Sequence, residues 1–204
     1  MSRGSGGPRR SGGPRSHPDT SVRPAVPGDE RAIAALQWGA WRALLTGEEL
    51  AAQGLSEERL RAGWEAALSS PRPASAALVV ALHGNSVVGF ALAGPDDEAG
   101  AVRGQAGVAG GPPGAAPAQT GGAPAAVPTQ IYELVVEPRF CRSGHGSRML
   151  AAVADLVGGA MRVWIDARDE ARQRFFSSAG FAPAGAGRTI GDGHTQHLWW
   201  ARAE

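Results

Sequence analysis

The 204-residue chain contains no lysine, one cysteine, one tyrosine and no apolar run near the roughly 18 residues that a membrane-spanning helix needs. Without lysine, the Gly-Lys-Ser/Thr ending of a nucleotide-binding P-loop is excluded. A lone cysteine, Cys141, precludes an intramolecular disulfide framework and fits a reducing cytoplasm, which is the expected location. Neither charge sign is in excess: 20 basic residues face 19 acidic ones, so the chain as a whole carries no nucleic-acid signature. Metal-like spacings of His, Cys and carboxylate are also missing. His83 falls in a turn, while His194 and His197, three apart in a strand pattern, project to opposite faces, so no metal site is expected. Arginine as the sole basic residue, amid abundant alanine and glycine, fits a GC-rich coding sequence better than a chemical requirement.

What is present centres on residues 130–159. Gln130 to Val136 is a strand rich in β-branched residues, stopped by Pro138. Apolar residues at Met149, Leu150, Val153, Leu156 and Val157 then recur at helical spacing, and Gly158-Gly159 can end that helix. Gly144 and Gly146 lie in the turn between. A strand, a glycine turn and a helix N-terminus present unpaired amides to an anion, and glycine lets the backbone come close to it. Arg139, Arg142 and Arg148 add positive charge, which points to a phosphate ligand; an ordinary tight βα connection uses the same glycines. No third glycine follows at the dinucleotide-binding spacing, because Ser147, Arg148 and Met149 stand there.

The rest of the chain supports one domain of about 184 residues behind a tail. Residues 1–20 are Gly, Pro, Ser and Arg, with four arginines against one aspartate, and are expected to be disordered. They lack the apolar segment of a secretory signal. A solvated extension is the simpler account of them; salt-sensitive contact with an acidic surface or nucleic acid is the other. Ser21–Ala25 reads as an edge strand because Pro24 cannot donate to a ladder. Asp29 is placed to cap a helix whose apolar face is Ile33, Leu36, Trp41, Leu44 and Leu45. A second helix starts at Ser56 and runs through Leu60, Trp64, Ala67 and Leu68 to Pro71. Leu78–Leu82 and Val87–Ala93 flank a hairpin turn at His83-Gly84-Asn85-Ser86. Residues 95–128 are too poor in large apolar groups to pack and read as a low-complexity insertion. Met161–Ile165 is a further strand, Glu170–Ala179 a short helix, and Phe181 opens the closing pair of strands, which ends with His194–Ala201.

Two blocks carry a resemblance. Pro138-Arg139-Phe140-Cys141-Arg142-Ser143-Gly144-His145-Gly146 resembles the acetyl-CoA pyrophosphate loop of the GNAT-family N-acetyltransferases, Gln/Arg-x-x-Gly-x-Gly/Ala, with Cys141 where Gln or Arg is usual. Residues 169–181 resemble that family's Asn-x-x-x-x-x-Phe-Tyr-x-x-x-Gly-Phe segment, with Asp169 for Asn and Phe176 for Tyr. Trp41-Arg42-Ala43, Leu55-Ser56-Glu57-Glu58-Arg59 and Trp64 are similar to the N-terminal helices of one subset, which form part of the acceptor wall.

The resemblance implies a mixed α/β (α+β) domain over residues 21–204, interrupted at 95–128. Its sheet would have six to seven mostly antiparallel strands, with the fourth and fifth splayed, flanked by about four helices. It implies acetyl-CoA as co-substrate, an amine of a small molecule or protein as acceptor, and transfer by direct attack. Leu134, Val135 and Val136 would offer backbone groups to pantetheine. Cys141, Arg142, Ser143, Gly144, His145, Gly146 and Ser147 would hold the pyrophosphate, with Asp169 and Phe176 also at cofactor positions. Glu133, the only acid in its strand, would be the general base. Phe176 cannot act as the acid that the family's Tyr provides, and water or Tyr132 would substitute. Tyr132 neighbours Glu133 in the strand and is expected on the opposite face. Homodimers are common in the family. A catalytically weak domain that binds acyl-CoA as a sensor or partner module is the alternative these substitutions leave open.

Overall fold

The computed structural model describes residues 20–95, 128–190 and 194–201, and within them seven strands form one sheet. They are β1 (Thr20–Pro24), β2 (Ala77–His83), β3 (Ser86–Pro95), β4 (Thr129–Val136), β5 (Met161–Asp166), β6 (Ala182–Ile190) and β7 (His194–Ala201), in the spatial order β1-β2-β3-β4-β5-β7-β6. Neighbours pair antiparallel, except β4 and β5, which are parallel. The helices are α1 (Glu30–Leu44), α2 (Gly47–Ala52), α3 (Glu57–Ser69), α4 (His145–Val157) and α5 (Glu170–Ser178). The mixed α/β class is the one expected, with five helices in place of four. The tail and the insertion lie outside the described residues apart from Thr20, Pro95 and Pro128.

The unbroken apolar runs in the middle of the chain follow from a sheet covered on both faces. In β2, Ala77, Val79 and Ala81 enter one core, with Met149, Leu150 and Val153 of α4 and Phe176 of α5. Leu78 and Val80 alternate into a second core, with Ile33 of α1 and Leu60, Trp64 and Leu68 of α3. Period-two alternation therefore divides one run between two helical layers. Each fully buried Val, Leu, Ile or Phe contributes about 1.5–3 kcal/mol, which makes these two layers the main source of stability.

Local expectations fail in four places around the helices. The inward face of α1 is Ile33, Ala34 and Gln37, whereas Leu44 is 74% exposed. The stripe runs at four-residue spacing through Ile33, Gln37 and Trp41, with a polar residue at its centre that a hydrophobic pattern passes over. Asp29 precedes α1 without capping it: its carboxylate takes both Arg23 guanidinium nitrogens at 2.7 and 2.9 Å, and the Val26 N–H at 2.9 Å. Helix α2 was not anticipated, although Thr46 and Glu49 form a reciprocal capping box. In α4 the buried residues are His145, Met149, Leu150 and Val153, and Leu156 is half exposed. Gly158, at φ 62°, closes that helix as expected.

Candidate functional site

Strands β4 and β5 pair only through Thr129↔Met161, Gln130↔Arg162 and Ile131↔Val163. Beyond Ile131 they part, because β4 carries a bulge: against β3, Leu92 faces Glu133 while Ala93 faces Ile131, leaving Tyr132 as the extra residue. A bulge bends its strand and increases local twist. The remainder of β4 stays with β3, and an open wedge separates it from β5. The Glu137 N–H donates to the Val88 carbonyl at 2.8 Å, so by alternation Val135 and Glu133 also turn their backbone groups towards β3. Leu134 and Val136 turn theirs into the wedge.

The wedge opens onto the glycine turn. One 3₁₀ turn, Pro138–Phe140, follows β4, and the chain enters α4 through Arg142 and Gly144 at positive φ of 64° and 81°. Only Gly144 adopts that region without strain. The first helical amide to find a partner is that of Arg148, on the Gly144 carbonyl at 3.1 Å. The preceding amides of His145, Gly146 and Ser147 have no turn before them to bond, so the positive end of α4 faces the mouth of the wedge. At Gly146 an added Cβ would meet the Phe175 ring at 3.1 Å, so the turn packs this closely only because the residue is glycine. The Arg148 guanidinium lies against the same turn, on the Ser143 carbonyl at 3.4 Å.

Glu133 lies on the opposite side of the sheet from α4. Its Oε1 accepts the Gln37 side-chain N–H at 2.7 Å, and the Gln37 carbonyl accepts the Trp64 indole N–H at 2.7 Å. The Trp41 indole also donates to Glu133. Burial pushes the Glu133 carboxyl above its ordinary value, and the Gln37 bond, the Arg172 charge and the Trp41 bond only partly offset this. Arg172 comes from α5, on the α4 side, and its guanidinium lies 5.6 Å from the Phe176 ring. Its charge also acts on Glu133, across the sheet. Burial lowers its pKa, against the pull of Glu133 and Asp169, and its Nε has no hydrogen-bond partner among the described residues.

A sequence model of the Acetyltransferase (GNAT) family matches residues 33–181. The chain belongs to this family. No curated protein matches it in sequence. Solved structures resemble it in fold. A GNAT-family acetyltransferase from Streptococcus pneumoniae gives a TM-score of 0.59 at 14% identity, covering 91% of this chain and 100% of its own. The putative acetyltransferase yncA from Salmonella typhimurium, solved with acetyl-CoA, gives 0.61 at 16% identity, covering 91% and 95%. A GNAT-family acetyltransferase from Bacillus cereus gives 0.60 at 14% identity, covering 91% and 99%. Identities this low establish a common fold.

Within the GNAT frame the expected site residues separate. Leu134, Val136 and residues 141–147 gather around the wedge mouth, with Glu133 further along β4. Val135 does not line the wedge, because its backbone groups serve β3. Tyr132 needs correction: the bulge cancels one step of alternation and leaves it on the same face as Glu133. There Gly94, which also faces α1 and α3, would carry a Cβ 3.4 Å from the Tyr132 ring, and the Tyr132 hydroxyl donates to the Pro95 carbonyl at 2.7 Å. Phe176 is fully buried between Phe175 and Phe181 and touches no open part of the wedge. Asp169 caps α5 through the Arg172 N–H at 2.9 Å, and so serves the helix. Cys141 is exposed, its sulfur 3.8 Å from the Val136 carbonyl. His145 belongs to this turn through its backbone amide, at the first position of α4. Its ring is buried beside His83 and Phe140, and burial, followed by the His83 and Arg148 charges, lowers its pKa. Gln37 and Arg172 were missed. The signal for Gln37 was its place midway between Ile33 and Trp41 on one helical stripe.

Proposed function

We propose that this protein transfers an acetyl group from acetyl-CoA to a primary amine of a small molecule or protein, by direct attack of the amine. The observation that carries this is Glu133, a carboxylate of raised pKa held by two N–H donors beside an open strand wedge. A base serves best when its pKa approaches the working pH, and burial moves Glu133 in that direction. The glycine turn fits a pyrophosphate: amides of the first α4 turn are unpaired, Gly146 leaves the approach clear, and Arg142 and Arg148 supply charge. Leu134 and Val136 would hold the pantetheine arm by their backbone groups, and residues 141–147 the pyrophosphate. Acetyl-CoA supplies the activated thioester. Glu133 takes the proton from the attacking amine, and a Val136 N–H turned into the wedge is a fixed donor for charge developing on the carbonyl oxygen. Phe176, at the family's Tyr position, has no proton to give the thiolate. A thiol pKa of about 8.5 makes that leaving group tolerable without an acid. The single cysteine is in keeping with a cytoplasmic enzyme.

A second reading, an acyl-CoA-binding sensor of little activity, is favoured by Phe176, which stands in the family's Tyr position and can donate no proton. Calorimetric titration of acetyl-CoA, followed by an amine screen on wild type and Glu133→Gln, separates the two. Transfer that falls in the variant with binding retained supports the enzyme. Binding with no transfer to any amine supports the sensor.

A further inference from the structure

We propose that Trp64 and Gln37 are positioning residues that keep Glu133 ionised and ready to accept a proton. The inference rests on the base role given to Glu133 above and assigns what tunes it. The argument turns on which way the Gln37 amide faces. Its two ends have nearly the same shape, so packing alone does not choose between them. The Trp64 indole does, because indole N–H only donates. At 2.7 Å it requires the Gln37 oxygen, which leaves the Gln37 NH₂ towards Glu133, also at 2.7 Å. Gln37 is 4% exposed and Trp64 3%, so water offers neither an easy substitute.

The consequence is a fixed sign of interaction. With NH₂ presented, Glu133 is met by donors from Gln37 and Trp41, and both favour the carboxylate. Were the amide reversed, its oxygen would repel the carboxylate and accept from a protonated Glu133, favouring the neutral acid. The charged group facing Glu133 is Arg172 from α5; α1 presents Gln37 and Trp41, α3 acts through Trp64, and Leu92 faces Glu133 on β3. Trp64 thus reaches the reacting carboxylate through one intermediary, and its place is fixed by edge packing on Phe90 at 5.5 Å.

The test is a ¹³C NMR titration of the Glu133 carboxyl in the full chain, assigned by its loss in Glu133→Gln. It compares wild type, Gln37→Met and Trp64→Phe, the last keeping the aromatic packing while removing the N–H. The Glu133 midpoint should rise by about one pH unit in Gln37→Met, and by a smaller but measurable amount in Trp64→Phe. Unchanged midpoints in folded variants overturn the proposal, as does a rise in Gln37→Met with none in Trp64→Phe. If Trp64→Phe does not fold, wild type decides: the Trp64 indole and Gln37 amide protons should shift together as Glu133 titrates, and their failure to move overturns it. The base role fails separately. If the midpoints rise while Glu133→Gln transfers acetyl at the wild-type rate, the relay stands and the catalytic assignment falls.

Discussion

Glu133 and Gly146 bear most of the chemistry proposed for this chain. Replacing Glu133 by Gln removes the proton acceptor but keeps its shape, so kcat/KM should fall about 10²–10⁴-fold with acetyl-CoA affinity unchanged. Because burial raises the Glu133 pKa, the rate should climb with pH through a value above the ordinary 4.5. Below it Glu133 is protonated and transfer is lost. A rate profile flat from pH 4.5 to 8, measured with acceptor amine in saturating excess, would contradict this. Gly146→Val would drive a side chain into Phe175, where even a Cβ lies 3.1 Å away, and should weaken acetyl-CoA binding at least about tenfold by calorimetry. The strand and the glycine turn were legible in the sequence because each depends on neighbours in the chain, whereas the base role proposed for Glu133 comes from the family resemblance. The Trp64–Gln37–Glu133 connection was not legible, since its members come from α3, α1 and β4 and meet only when the sheet is covered.

Among the elements, β1 and α1 are tied by Arg23 and Asp29. Burial works against the Asp29 charge, but the Arg23 hydrogen bonds, the Val26 N–H and the Arg23 charge outweigh it, and the carboxyl sits below its ordinary value. A lowered carboxyl pKa contributes stability above the unfolded value of 3.8 and loses it as pH falls further. Asp29→Asn should therefore lower the Tm at pH 7 by about 2–4 °C, as expected for about 1 kcal/mol with Arg23 partly solvated, and by less near pH 3. At α2, Thr46→Ala removes a capping box and should cost about 1 kcal/mol in denaturant unfolding. This helix was legible in principle, since Thr46-Gly-Glu-Glu49 carries the capping signature. Asp29 misled in the opposite way: an aspartate before a helix reads as a cap, and only the folded partner, six residues back on β1, shows that it is an ion pair.

At the scale of the molecule, one sheet between two helical layers sets the wedge, because the bulge at Tyr132 sends β4 with β3 while β5 goes with β7. The separate strands and helices follow from runs and turns visible in the chain, and the class from the resemblance of the two blocks, whereas the bulge leaves no mark in the pattern, and the alternation rule placed Tyr132 on the wrong face for that reason. Pro95 pairs with Thr129, at the end of β4 remote from the glycine turn. Replacing residues 96–128 by a two-residue Asn-Gly turn should therefore keep the Tm within about 4 °C and leave acetyl-CoA affinity unchanged. A variant that fails to fold would contradict the treatment of that segment as an insertion. The most direct test of the central claim is a paired measurement on wild type and Glu133→Gln: acetyl-CoA affinity, and the rate of acetyl transfer to an amine panel. The account predicts equal affinity and a rate at least about 100-fold lower in the variant. Equal rates in the two proteins, or no transfer by wild type despite tight binding, would contradict it.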